Sequence, residues 1–258
     1  MAPLATSIDE VIARLGDVID RSRRERSRLG FFAALYRKVT IKVKEGIAAG
    51  RFDDGRRMER LDVTFANRYL EALAQFRAGG NPTPCWLVSF GAAATWPPII
   101  LQHLLLGMNA HINFDLGIAA ATTCPRDELG ELKHDFNEIN VILAGLVGQV
   151  QSGIYRLSPW IKVLGEIDPR ANRVIVNFSM EKAREAAWRV AERLAPVPPD
   201  QWAAPLAKLD LEVTVLGRLV RRPIGKLLNL KLMVIRSRET GDVDKVIDVL
   251  DETATAHV

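Results

Sequence analysis

With only two cysteines, Cys85 and Cys124, the sequence has too few for a disulfide framework, and their spacing does not suit a thiolate metal pair. The zinc-hydrolase signature HExxH is absent. Neither an internal repeat nor a low-complexity linker interrupts the chain. Its first residues, MAPLATSIDEVIARL, lack the positive segment followed by an apolar core that marks a secretory signal. The strongly apolar stretch 99–108 runs into polar residues at 103, 109, 111, 113 and 115, so no clean span of about 20 apolar residues forms. A cytoplasmic location is the resulting expectation.

Hydrophobic residues make up 48% of the 258 positions and charged residues 26%, the balance of a globular protein with a substantial core. The formal charge of +4 is mild, and much of the excess sits in RSRRERSR at 21–28 and RLVRRPIGK at 218–226. Neither run brings an aromatic stacking pattern or a known nucleic-acid module, so nucleic acid is not an expected partner. The stretch GRLVRRPIGKLLNLKLMVIRSR at 217–238 alternates basic and apolar residues. It suits either peripheral contact with an anionic membrane or a packed helix with a charged outer face.

Helical periodicity dominates, and the expected fold is all-α: one multi-helix, bundle-like domain over 1–258 with a short tail from about 253. Ser7 and Glu10 form a capping box ahead of the first helix, and Gly50 and Gly79-Gly80 close the second and third. Leu61, Phe65, Tyr69, Ala72 and Phe76 make one apolar stripe, with Asp62 and Arg68 on its flanks. Residues 165–179 read as a loop with a brief extended piece. Three helices fill the last third, although LEVTVLGRLV is β-branched enough to suit a strand.

The chemistry concentrates in LQHLLLGMNAHINFDLGIAA, residues 101–120, where five polar groups interrupt an apolar helix. Each needs a partner, because burying a lone polar group costs roughly 2–7 kcal/mol. In a regular helix His103, Gly107, His111 and Asp115 share one stripe, while Asn109 and Asn113 share another. His111 and Asp115, about 6 Å apart along the axis, can meet one ion or one partner. His103 lies about 12 Å before His111 and cannot share that ion. Gly107 between them leaves room for a substrate or a crossing helix. In the later helix KHDFNEINVIL, Asp135 and Asn140 flank the apolar face, whereas His134 and Glu138 point to solvent. Arg68 can hold Asp115 or Asp135. His257 lies in the tail and is discounted.

The segments FFAALYRKVT, GRFDDGRRMERLDVTFANRYLEAL, LQHLLLGMNAHINFDLGIAA and DFNEIN together resemble DUF5995, a bacterial family without assigned activity. The resemblance runs from about residue 8 to 250 and implies a helical domain. More loosely, LGMNAHINFD is similar to LGxxxHxxxD stretches of helical zinc-dependent phospholipase C and nuclease-type enzymes, in which His111 and Asp115 would be metal ligands. The sequence departs from that pattern in lacking an N-terminal tryptophan ligand and a PxH after Asp115.

The expected site is therefore an enzymatic one. His111, Asp115 and Asp135 would hold a divalent ion, zinc or iron, with His103 as acid or base over Gly107. His111 oriented by Asp115 would serve without metal. Asn109, Asn113, Gly107, Arg68 and Asn140 would contact the substrate. The expected activity is that of a hydrolase or oxidoreductase acting on a small, partly apolar molecule. The alternatives are a non-catalytic small-molecule-binding module and a purely structural polar network.

Overall fold

A computed structural model describes residues 3–96, 98–161 and 180–251 of the chain. Among these residues there are eleven α-helices and no strand. The segment 165–179 and the tail beyond Asp251, His257 included, lie outside the described residues.

Helix α1 (Ile8–Arg24) starts where expected, with Ser7 Oγ accepting from Glu10 N–H. The carboxylate of Glu10 reaches one residue further back than a capping box requires, to Thr6 N at 2.8 Å. Helix α2 (Leu29–Ala48) ends at Gly50, whose φ of +66° lets Arg51 N close back onto Gly46 O. Helices α3 (Gly55–Arg77) and α4 (Pro84–Ala93) follow. The long helix α7 (Leu129–Leu157) precedes α8 (Met180–Leu194), α9 (Ala203–Arg221), α10 (Lys226–Arg238) and α11 (Val243–Asp251). The β-branched run LEVTVLGRLV lies within α9, where Val213 and Thr214 are buried, so tertiary packing overrides its strand preference.

All of this is arranged around one rod, Ile100–Thr123. Helix α5 (Ile100–Met108), a π-helical segment (Asn109–Leu116) and α6 (Gly117–Thr123) run on without a break. The rod is long and apolar enough to cross a membrane, yet 89% of its apolar window is buried inside the protein. Helices α2, α3, α4, α8 and α9 all pack on it, and α4 and α9 pack on each other. Close approach is built in at Gly107, where a Cβ would strike the Phe32 ring of α2.

Three buried carboxylates stitch the helices together by capping another element's N-terminus. Asp210 of α9 accepts from Cys85 N at 3.0 Å, at the start of α4. Glu239 accepts from Ile100 N at the start of the rod and from Ser158 Oγ at 2.6 Å. Asp135 of α7 accepts from Asp53 N and Asp54 N just before α3. Such acceptors satisfy the free N–H groups of a helix start and suit its positive dipole end.

Candidate active site: a capped apolar cavity

The π-helical turns decide which polar residues meet. A π-segment is wider than an α-helix, so it re-phases every side chain that follows. His103, Gly107 and His111 nevertheless all face α2, at Phe31 and Phe32, and His111 stays beside Asp115, yet the two histidines enter different surroundings. His103 packs edge-on to Phe31, 5.8 Å between ring centroids. Burial, aided by the positive charges of Arg28 and Arg236, pushes its pKa down to about 3, so it is a neutral imidazole. His103 takes no part in the cavity that His111 lines.

His111 enters a cage of rings. Phe65 stacks on it with centroids 3.5 Å apart and planes 6° from parallel, and Tyr36 stands edge-on at 4.5 Å. Phe32, Tyr69 and Trp86 complete the shell at 5.7–6.1 Å. The side chain is almost wholly enclosed, and burial lowers its pKa against the opposing pull of Asp115. Its Nδ1 lies 3.5 Å from Asp115 Oδ2, a longer separation than a normal hydrogen bond, and among the described residues neither ring nitrogen has a closer partner.

Asp115 is occupied elsewhere. Arg68 Nε donates to its Oδ1 at 2.8 Å, and Trp86 Nε1 donates to its Oδ2 at 2.9 Å. This joins α3, α4 and the rod through one carboxylate. Of the two acceptors expected for Arg68, the structure selects Asp115.

His111 faces a cavity of about 360 Å³ between α2, α3, the rod and α7. Its walls are apolar, among them Val39, Leu61, Leu104, Met108 and Leu146. One side is the face of α7 that the periodicity marks out: Ile139, Leu143, Leu146, Val147 and Val150. Val147 and Gln151 are exposed and mark the mouth.

The deep polar groups are Tyr36, Asp62 and His111. Among the described residues, Tyr36 Oη, Asp62 Oδ2 and both nitrogens of His111 are buried and find no hydrogen-bond partner. Enclosure pushes the Asp62 carboxyl up to about 7, with a smaller push from Glu59. The Tyr36 phenol is raised well above its ordinary range by burial, then by Asp62 and Asp115. Convergent, unpartnered polar atoms in an apolar cavity are the pattern of a ligand site. On the wall of the same cavity lies Arg184, whose Nε donates to Asn140 Oδ1 at 2.7 Å. Burial draws its pKa down to about 9.

Several expected site residues serve the scaffold. Asn109 donates to Val213 O at 2.9 Å and accepts from Asn113 at 3.0 Å, so this pair ties the rod to α9. The Phe32 ring fills the space over Gly107, which thus admits a crossing helix and leaves no room for a substrate. Asn140 is spent on Arg184. Asp135 bonds Asp53 N, Asp54 N and Arg57, and its ligand atoms do not join those of His111 and Asp115.

The donor set for a divalent ion does not assemble. Both Asp115 oxygens are committed, and the Arg68 guanidinium beside them opposes a cation. Among the described residues the one cluster with metal-like spacing is Asp53, His134 and Asp135. There His134 is 69% exposed, 3.0 Å from Asp53, while both Asp135 oxygens already accept backbone N–H groups.

Tyr36 and Asp62 are the residues the periodicity undervalues. Asp62 stands on the flank of the α3 stripe and has the profile of an ordinary boundary ion pair. What sets it apart in the fold is that among the described residues no basic side chain pairs with it.

A model described as a family of unknown function, DUF5995, matches residues 8–223. No curated protein and no solved structure matches the chain.

Proposed function

The chain belongs to the DUF5995 family, which by description is a family of unknown function, and we propose from its cavity that it binds a small, largely apolar molecule carrying one uncharged hydrogen-bonding group. The observation behind this reading is the set of unpartnered buried atoms, Tyr36 Oη, Asp62 Oδ2 and the His111 nitrogens, at the polar end of an apolar space.

Magnitudes divide the labour. Each buried methylene contributes about 0.8 kcal/mol. Eight to ten carbons therefore bring roughly 6–8 kcal/mol before the costs of binding. A net hydrogen bond adds about 1 kcal/mol. The walls set affinity, and the polar end selects the head group. A ligand carboxylate there would face the Asp62 and Asp115 carboxyl groups, whereas a hydroxyl or carbonyl meets a phenol, a carboxyl and a neutral imidazole. A volume of about 360 Å³ lies within the range of small-molecule sites.

A second reading, acid–base chemistry on the bound molecule, draws on Asp62. A buried carboxyl near 7 is suited to exchange a proton at neutral pH.

The test is native mass spectrometry of the purified protein, followed by calorimetric titration with 1-decanol and with decanoate. One equivalent of bound organic molecule, or saturable binding of 1-decanol, is expected. Leu146→Trp fills the cavity and abolishes it, while Tyr36→Phe weakens it by roughly tenfold or less. Failure of 1-decanol to bind, tighter binding of decanoate, or equal binding by the Leu146→Trp variant would overturn the reading. Turnover of the bound molecule that Asp62→Asn abolishes would select the catalytic alternative.

A further inference from the structure

Large apolar side chains are left in water mainly in one place. Nine of the fourteen that stand exposed among the described residues fall between Leu211 and Val234, on α9, α10 and the corner between them. Ile224 at the corner is 85% exposed and Leu227 is 66% exposed. Helix α10 is apolar on both faces. Leu232 and Ile235 are buried, while Leu227, Leu230, Met233 and Val234 point out. Exposed apolar residues clustered in this way mark a surface that something covers.

The corner is held rigid with its apolar tip outward. Gly225 has φ +121°, a conformation closed to most residues, and Asn229 Nδ2 donates to Pro223 O and Gly225 O at 2.6 and 2.8 Å. The exposure of Ile224 is thus a built feature.

Charge identifies what covers this face. From Val213 to Arg238 there are seven Lys or Arg and no Asp or Glu, more than the net +4 of the whole chain. Arg218, Arg222, Lys226 and Arg238 are exposed around the apolar residues. A second copy related by a two-fold axis would set these positive groups against their own kind. Nucleic acid would leave the apolar residues unused, and the stretch offers no aromatic ring for stacking. An anionic lipid surface uses both features at once.

We infer that the α9–α10 corner docks the protein on anionic phospholipid bilayers, with Ile224 and Leu227 entering the acyl boundary and Arg222 and Lys226 meeting headgroup phosphates. The inference rests on a surface separate from the cavity and stands whether or not the cavity binds a ligand. Docking would bring the cavity's carrier to a source of apolar molecules.

The experiment is co-sedimentation of the full chain with vesicles of phosphatidylcholine alone, or with an equal part of phosphatidylglycerol, at low and high salt. Binding to the anionic vesicles alone, weakened by salt, is expected. Ile224→Ser with Leu227→Ser, and separately Arg222→Gln with Lys226→Gln, should each lower partitioning by roughly twentyfold. Both pairs are exposed, so thermal melting should be unchanged. No pelleting with anionic vesicles at low salt overturns the inference, as does pelleting that neither pair of substitutions reduces. Sedimentation velocity supplies the remaining arm: a dimer dissolved by Ile224→Ser would assign the face to a second copy instead.

Discussion

The Phe65 ring lies flat on the His111 imidazole, 3.5 Å between centroids, while among the described residues the two nitrogens of that imidazole have no hydrogen-bond partner. Stacking fixes the ring plane, and burial disfavours its charged form. At pH 6.5, where a free histidine is half protonated, His111 is expected to be less than half protonated, because its burial lowers its pKa. Nitrogen-detected NMR across the acidic range checks this. A full protonation step for His111 near pH 6.5 would contradict the enclosure, and Phe65→Leu should move its ring resonances strongly.

The Asp62 carboxyl gives stability a defined pH dependence. Its folded pKa, about 7, exceeds that of an unfolded aspartate near 3.9, so the folded state holds the proton more tightly. The stabilisation is complete below about pH 4 and is lost as pH rises towards 7. His103 acts in the opposite sense. With a folded pKa of about 3 it stabilises above about pH 6.5, and that contribution is lost as pH falls to 3. Denaturant melts from pH 4 to 8 should show that Asp62→Asn removes the decline with rising pH. Parallel curves for wild type and variant would mean that Asp62 is solvated.

Removal of Asp115 should cost about 3 kcal/mol, because Asp115→Ala leaves the Trp86 N–H and the Arg68 guanidinium without their acceptor. Urea unfolding measures this. Stripping divalent ions with a chelator should leave the wild-type melting temperature unchanged. A large drop on chelation would return Asp115 to the role of metal ligand.

Gly107→Ala drives a methyl group into the Phe32 ring and should destabilise by about 1–3 kcal/mol through overpacking. Phe32→Leu in the same chain should recover part of the loss. Additive effects of the two substitutions in a double-mutant cycle would show that the contact is unimportant.

The helices and their ends are legible because they rest on local rules: Ser7 before α1 and Gly50 after α2 are each set by neighbours in the chain. The pairing of Arg68 with Asp115 is legible only as one of two options, since two carboxylates at helix flanks look alike until the fold chooses. Asp135 shows the limit most plainly. Its use as a cap for the start of α3 depends on an 82-residue separation in sequence that no periodicity encodes. The cavity escapes for a similar reason, because its walls are ordinary apolar positions on α2, α3, the rod and α7. What distinguishes them is the space that they fail to fill together.

The wide turns at Asn109–Leu116 act like an offset coupling in a drive shaft. Because they set how far α6 is rotated relative to α5, they fix the angle at which Asp115 meets Arg68 and Trp86 while His103 packs on Phe31. Removing a single residue there would turn the two ends of the rod by about 100° against each other. In this rod, length is therefore harder to change than chemistry, and its residue count between His103 and Asp115 is as much a part of the site as the side chains.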